Sequence, residues 1–115
     1  MAKQPTPPLD RIFHAIADPT RLKVVEALAR GPASVSELAQ PFDIALPTFL
    51  KHLKVLEDGG WIVTRKSGRV RACALSPQGF QAAQTWVARH RALWEGRADR
   101  LAELLDTLQT KETRQ

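Results

Sequence analysis

A mostly α-helical fold carrying one small β-hairpin is what the sequence predicts, on three observations. Apolar residues recur at helical spacing along most of the chain. Helix boundaries are punctuated by Asp18-Pro19, Gly31-Pro32, the Ser34-to-Glu37 pair and Gly59-Gly60. Only two short β-prone runs break the pattern, one on each side of Ser67-Gly68. The 115 residues, 43% apolar and 25% charged, suffice for one globular domain with one core. A domain of this size leaves much apolar surface in water unless a second subunit covers it, so a dimer is expected.

Residues 1–8 (MAKQPTPP) hold too many prolines and too few apolar groups to pack, and read as a flexible arm. The domain proper spans residues 9–108. Leu9, Ile12, Phe13 and Ile16 fall at the i, i+3, i+4, i+7 positions of a first helix. Asp18 is an N-cap, with Pro19 at the first helical position where its missing N–H does no harm, so a second helix starts there. Leu22, Val25, Leu28 and Ala29 are its expected inner face, and Gly31-Pro32 stop it. Ser34 and Glu37 form a capping box for a short third helix that ends near Gln40, before Pro41.

After a turn at residues 42–45, a fourth helix extends over 46–58, and Gly59-Gly60 supply a left-handed exit. Leu46, Phe49, Leu50, Leu53 and Leu56 line one face. Pro47, Thr48, Lys51, His52 and Val55 line the opposite face, which has no acidic residue. Ala45 offers this helix no side-chain cap. Residues 61–65 and 70–75 are short strands joined through Lys66-Ser67-Gly68-Arg69, a hairpin with glycine in its turn. From 77 to about 108 Phe80, Val87, Trp94, Leu101, Leu104 and Leu108 recur at helical spacings. A helix of roughly 30 residues is about 45 Å long, more than a small domain can cover, which makes it the expected dimerisation helix. Residues 109–115 read as a loose tail.

Helix, helix, short helix, turn, helix, hairpin, helix (α1-α2-α3-α4-β-β-α5) is the order of a dimeric winged helix-turn-helix, and the charge distribution suits double-stranded DNA. The chain carries 17 Lys and Arg against 12 Asp and Glu, a net +5 that favours a polyanionic partner. The fourth helix is the expected reader: Pro47, Thr48, Lys51, His52 and Lys54 face a major groove and its flanking phosphates. Arg65, Lys66, Ser67, Arg69 and Arg71 place a cluster of cations at the hairpin tip, suited to phosphates or a minor groove. Between Thr48 and Arg71 the only acids are Glu57 and Asp58.

The runs Ala17-Asp18-Pro19-Thr20-Arg21, Ser36-Glu37-Leu38-Ala39, Pro47-Thr48-Phe49-Leu50-Lys51-His52-Leu53-Lys54-Val55-Leu56-Glu57 and Ser67-Gly68-Arg69 stand in register over roughly residues 9 to 80. Together they resemble the ArsR-type winged-helix repressors. The resemblance implies a homodimer paired through its first and last helices, an inverted-repeat operator near its own promoter, and release on binding an effector. Leu9, Ile12, Phe13, Val87, His90, Trp94, Leu101, Leu104 and Leu105 are then the expected interface. The chain departs from the family pattern at Leu50, where a serine is usual. Where metal-sensing members hold thiolates this chain has Ser34, Ser36 and Ala39, and its last helix holds one histidine, His90, without an Asp-x-His pair. No metal and no cofactor is therefore expected, and the effector is left as a small molecule of unspecified class.

Other readings attach to single residues. His14 and His90 read as structural; the alternative for His90, at a seam of the last helix, is a pairing near its symmetry mate that responds to pH. Trp86 and Trp94 fit interface packing or the wall of a pocket between subunits. The single cysteine, Cys73, lies between Ala72 and Ala74 as a small buried residue; with Arg71 nearby, a redox- or metal-responsive repressor built on it is the alternative function. A second alternative is a protein-interaction module with vestigial DNA binding, suggested by Leu50 and the uncapped Ala45. No phosphate loop, nucleophile elbow, zinc-protease helix or carboxylate pair is present, so catalytic residues are not expected. No membrane-length apolar run and no secretory leader is seen, which points to the cytoplasm.

Overall fold

The computed structural model describes residues 5–113. Its elements are α1 (Leu9–Ile16), α2 (Pro19–Leu28), β1 (Ala33–Ser34), α3 (Val35–Ala39), α4 (Leu46–Asp58), β2 (Ile62–Ser67), β3 (Val70–Leu75) and α5 (Pro77–Thr113). The chain divides into two compact units, Met1–Ala83 and Gln84–Gln115, so the second unit consists of the greater part of α5.

Local chemistry places most of the first unit. The Asp18 carboxylate accepts from the Arg21 N–H at 3.0 Å and opens α2, with Pro19 in the first turn. Ser34 accepts from the Glu37 N–H at 3.1 Å while Glu37 accepts from the Ser34 N–H at 3.2 Å, which closes the expected capping box on α3. α4 ends in a Schellman motif: the Gly60 N–H reaches the Glu57 carbonyl and the Trp61 N–H the Leu56 carbonyl, both at 3.0 Å. Gly60 adopts φ +78°, open to glycine at little cost. Its neighbour Gly59 matters for a different reason, because α4 crosses α1 there: a Cβ on Gly59 would stand 2.5 Å from that of Ala15.

The core of this unit gathers Ile12, Ala15, Val24, Leu28, Val35, Leu38, Phe49, Leu53, Leu56, Trp61, Ile62 and Cys73. Trp61 buries its ring and donates its indole N–H to the Ile12 carbonyl at 2.7 Å, tying the chain after α4 to α1. Phe42, in the turn before α4, lies against Phe49 with ring centroids 5.5 Å apart.

The structure corrects several expectations. The hairpin belongs to a three-stranded antiparallel sheet of order β1-β3-β2, because Ala33 and Ser34 pair with Cys73 and Ala72. The hairpin loop is tighter than expected: Lys66 and Ser67 remain in β2, and only Gly68 and Arg69 turn the chain. Gly68 has φ +62° and no other loop residue has positive φ, the pattern of a type II′ turn, whose twist suits the strands. α2 packs through Val24 and Leu28, leaving Leu22 and Ala29 exposed, and in α4 Leu46 is exposed whereas Val55 packs on the core. Ile12, expected at a partner surface, is fully buried within its own subunit because its face of α1 meets the core. Of the expected arm, residues 1–4 lie outside the described region. Thr6 and Pro7 are close to the fold: Gln78 donates to the Thr6 hydroxyl at 3.4 Å, and Pro7 lies beside Gly60.

In the second unit the helix runs to Thr113, past the expected end near residue 108, so residues 109–113 are not a loose tail. Nothing after Gly96 breaks helix, and the Thr107 and Thr110 hydroxyls donate to carbonyls one turn back, at 2.9 Å each. Arg91 and Glu95 form an i, i+4 ion pair at 3.4 Å.

Candidate nucleic-acid interface

α4 presents two chemically different sides. Phe49, Leu53 and Leu56 enter the core, while Pro47, Thr48, Lys51 and Lys54 stand in solvent. The expected lack of a side-chain cap at Ala45 is found, and Pro47 occupies the first turn, so no side chain caps this helix start. An exposed helix start of this kind suits a phosphate. Lys54 is tied to Asp58 at 3.2 Å, an exposed pair that solvent and salt weaken.

Arg65, Lys66, Ser67, Arg69 and Arg71 are all exposed around the β2–β3 tip. Lys66 and Arg71 are directly opposite in the strand register, and Arg65 faces Ala72. Like charges at opposite positions of an antiparallel pair repel, a cost that a bound polyanion relieves. Among the described residues no carboxylate comes within ion-pair distance of Lys51 or of the four tip cations. Tip and helix are held together by Thr64, whose hydroxyl donates to the Glu57 carboxylate at 2.8 Å. One acidic residue of the α4 to β3 region is thus occupied in joining the two basic surfaces, and the other, Asp58, in pairing with Lys54.

His52 departs from its expected place among the DNA-facing residues. Its side chain is only 20% exposed, and its Nδ1 lies 3.1 Å from Arg21 Nη1 and 3.8 Å from the Asp18 carboxylate. An arginine nitrogen only donates, so Nδ1 accepts and the neutral ring carries its proton on Nε2. Arg21 also donates through Nε to the Ala15 carbonyl at 2.7 Å and through Nη2 to the His14 carbonyl at 3.3 Å. The Arg21 N–H, followed by the Arg21 charge, holds the Asp18 carboxyl below the ordinary carboxylate range against the opposing effect of burial. Arg21 was legible only as part of a motif; its contacts span 31 residues, which no local pattern reveals.

Cys73 is 1% exposed, and burial pushes its thiol up, with the Arg71 charge acting in the opposite sense. It is a core side chain lacking the thiolate character that makes cysteines reactive. Among the described residues of one chain, no three of His, Cys, Asp and Glu gather in a metal-sized cluster.

Of the residues expected at a subunit interface, Leu9 is exposed and Phe13 half-buried in the first unit. In the second, Val87, Trp94, Leu101, Leu104 and Leu105 are all exposed, Trp94 at 70%. His90 is half-buried, its ring stacked on Trp86 at 4.1 Å between centroids and its Nδ1 2.9 Å from the Trp86 carbonyl. Among the described residues no helix is long and apolar enough to cross a membrane.

Comparison with known proteins agrees with this geometry. A family profile described as a helix-turn-helix domain matches residues 16–65. The chain is 37% identical over 98 residues to the HTH-type transcriptional regulator Rv2034 of Mycobacterium tuberculosis, covering 85% of this chain and 89% of that one. A crystal structure of the ArsR family transcriptional regulator RHA00566 superposes with a TM-score of 0.73 at 57% identity, over 76% of this chain and 96% of that one. The solution structure of the homodimeric winged helix-turn-helix DNA-binding domain of Mb0332 from Mycobacterium bovis shares the fold, with a TM-score of 0.58 at 24% identity over 74% of this chain and 81% of that one.

Proposed function

The chain belongs to the ArsR-type winged helix-turn-helix transcriptional repressors, a family of DNA-binding regulators and not of enzymes, and from that premise we propose that it acts as a homodimer that occludes a promoter. The observation that carries this reading is the pairing of the solvent-facing Pro47, Thr48 and Lys51 of α4 with a β2–β3 tip whose cations, among the described residues, have no carboxylate within ion-pair distance. In the dimer the two α4 helices enter successive major grooves about 34 Å apart on an inverted repeat, and the tips follow the flanking backbone. The homodimeric state of the Mycobacterium bovis domain and the exposed apolar side chains along α5 support the pairing. The operator lies upstream of its own coding sequence, the protein works in the cytoplasm, and a non-metal effector releases it. Burial of Cys73 and the upward displacement of its thiol favour this over a cysteine-based sensor.

Single substitutions on the two surfaces separate their roles. Lys51→Ala or Arg69→Ala is expected to weaken binding to every duplex alike, each lowering the slope of log affinity against log salt by about 0.9 for a lost phosphate contact. Thr48→Ala is expected to leave that slope in place and narrow the gap between operator and scrambled DNA. Fluorescence anisotropy across a salt series measures both, and unchanged affinity in all three variants contradicts the assignment.

A further inference from the structure

We propose that Arg21 is a positioning residue for DNA reading: it clamps α4 to the last turn of α1 through His52, so that a displacement of α1 is felt at the reading helix. The inference rests on the DNA-reading role of α4 given above and adds a connection to it. One guanidinium makes three contacts in three directions. Two go to carbonyls at the C-terminal end of α1, Ala15 at 2.7 Å and His14 at 3.3 Å, where a helix has acceptors left over and a cation is favoured. The third goes to Nδ1 of His52, in the middle of α4 and adjacent to Lys51.

The backbone from which the Arg21 side chain projects is held as well. The Arg21 backbone N–H is held by the Asp18 carboxylate, the same group that lies 3.8 Å from His52. The planar fork of the guanidinium spans acceptors that a single ammonium or hydroxyl could not reach together. The contact is confined to the first compact unit and joins the element carrying exposed Leu9 and half-buried Phe13 to the element carrying Thr48 and Lys51. A subunit pairing that uses the exposed side of α1 is thereby linked to the orientation of the reading helix. His52 acts here as an acceptor turned inward, which is why it stands only 20% exposed.

The test compares wild type with Arg21→Met, His52→Leu and His52→Asn. Each is titrated against a duplex enriched by the wild-type protein from a randomised library and against a scrambled duplex. The readout is the ratio of the two affinities, taken at a temperature where circular dichroism shows every protein folded, so loss of stability does not enter it. In His52→Asn the amide oxygen of the new side chain would stand where Nδ1 stands and restore the acceptor, whereas leucine fills space without one. Arg21→Met and His52→Leu are expected to lower the ratio about tenfold, the scale of one hydrogen bond to a charged group, while His52→Asn retains it. Should Arg21→Met fail to fold, the two His52 variants decide the matter alone. An unchanged ratio in His52→Leu overturns the clamp. So does an equal loss in His52→Leu and His52→Asn, because the imidazole then contacts DNA itself. A wild-type protein that enriches no sequence overturns the DNA-reading role and the clamp with it; a selective wild type with indifferent variants overturns the clamp alone.

Discussion

Gly59→Ala is expected to lower Tm by roughly 10 °C or more. Where α4 crosses α1, the added Cβ would stand 2.5 Å from the Cβ of Ala15, 3.2 Å from the Val55 carbonyl oxygen and 3.3 Å from that of Arg11. None of these neighbours can move by turning a side chain: one is the Cβ of an alanine and the others are backbone atoms of the two crossing helices. Relief therefore requires the helices to part, which also loosens Ile12 and its bond from Trp61. Overpacking of this kind costs about 1–3 kcal/mol, and the absence of any flexible neighbour places Gly59 at the upper end. A domain of this size loses several degrees of Tm for each kcal/mol, roughly 4 or more. Thermal unfolding followed by circular dichroism checks it, and a Tm within two or three degrees of wild type, roughly the effect of less than 1 kcal/mol, contradicts the close crossing.

The second large effect concerns α5. Leu101→Glu combined with Leu104→Glu is expected to convert the dimer to monomer and to reduce operator affinity by at least about a hundredfold, since each carboxylate would have to be desolvated without a partner. Leu101 and Leu104 are 56% and 55% exposed in the single chain, so the substitutions leave its own core untouched and circular dichroism should show no loss of helix. Sedimentation velocity reads the oligomeric state directly. A double variant that sediments as wild type does would place the subunit contact elsewhere.

What could be read from the sequence was what local chemistry decides. Asp18-Pro19, the Ser34 and Glu37 capping box, Gly59-Gly60 and Gly68 each satisfy or turn the backbone within a few residues, and the elements they bound appear where expected. The cationic tip was legible for the same reason, as a run of neighbouring residues; on α4, Pro47, Thr48, Lys51 and Lys54 are solvated as expected, whereas His52 and Val55 are not. What escaped was decided by contacts far apart in the chain. β1 is two residues long and exists because β3, some forty residues later, accepts it as a neighbour. Ile12 lies on an apolar helix face, and periodicity alone does not tell whether such a face meets its own core or another subunit. The inward turn of His52 depends on Arg21, and the packing of Val24 where Leu22 was expected depends on how α2 crosses the core. The family resemblance supplied the role of the surfaces, and the structure supplied the connection between them.

The central claim is that this chain is a dimeric, sequence-selective DNA binder, and fluorescence anisotropy of the full-length protein tests it most directly. The duplex from upstream of its own coding sequence is compared with a scrambled duplex at several salt concentrations. The account predicts that the upstream duplex binds one dimer at least a thousandfold more tightly than the scrambled one, on the order of 4 kcal/mol, and that affinity for both falls steeply as salt rises. Weak binding, equal on the two duplexes, would contradict it and reduce the net charge of +5 to a general basic surface.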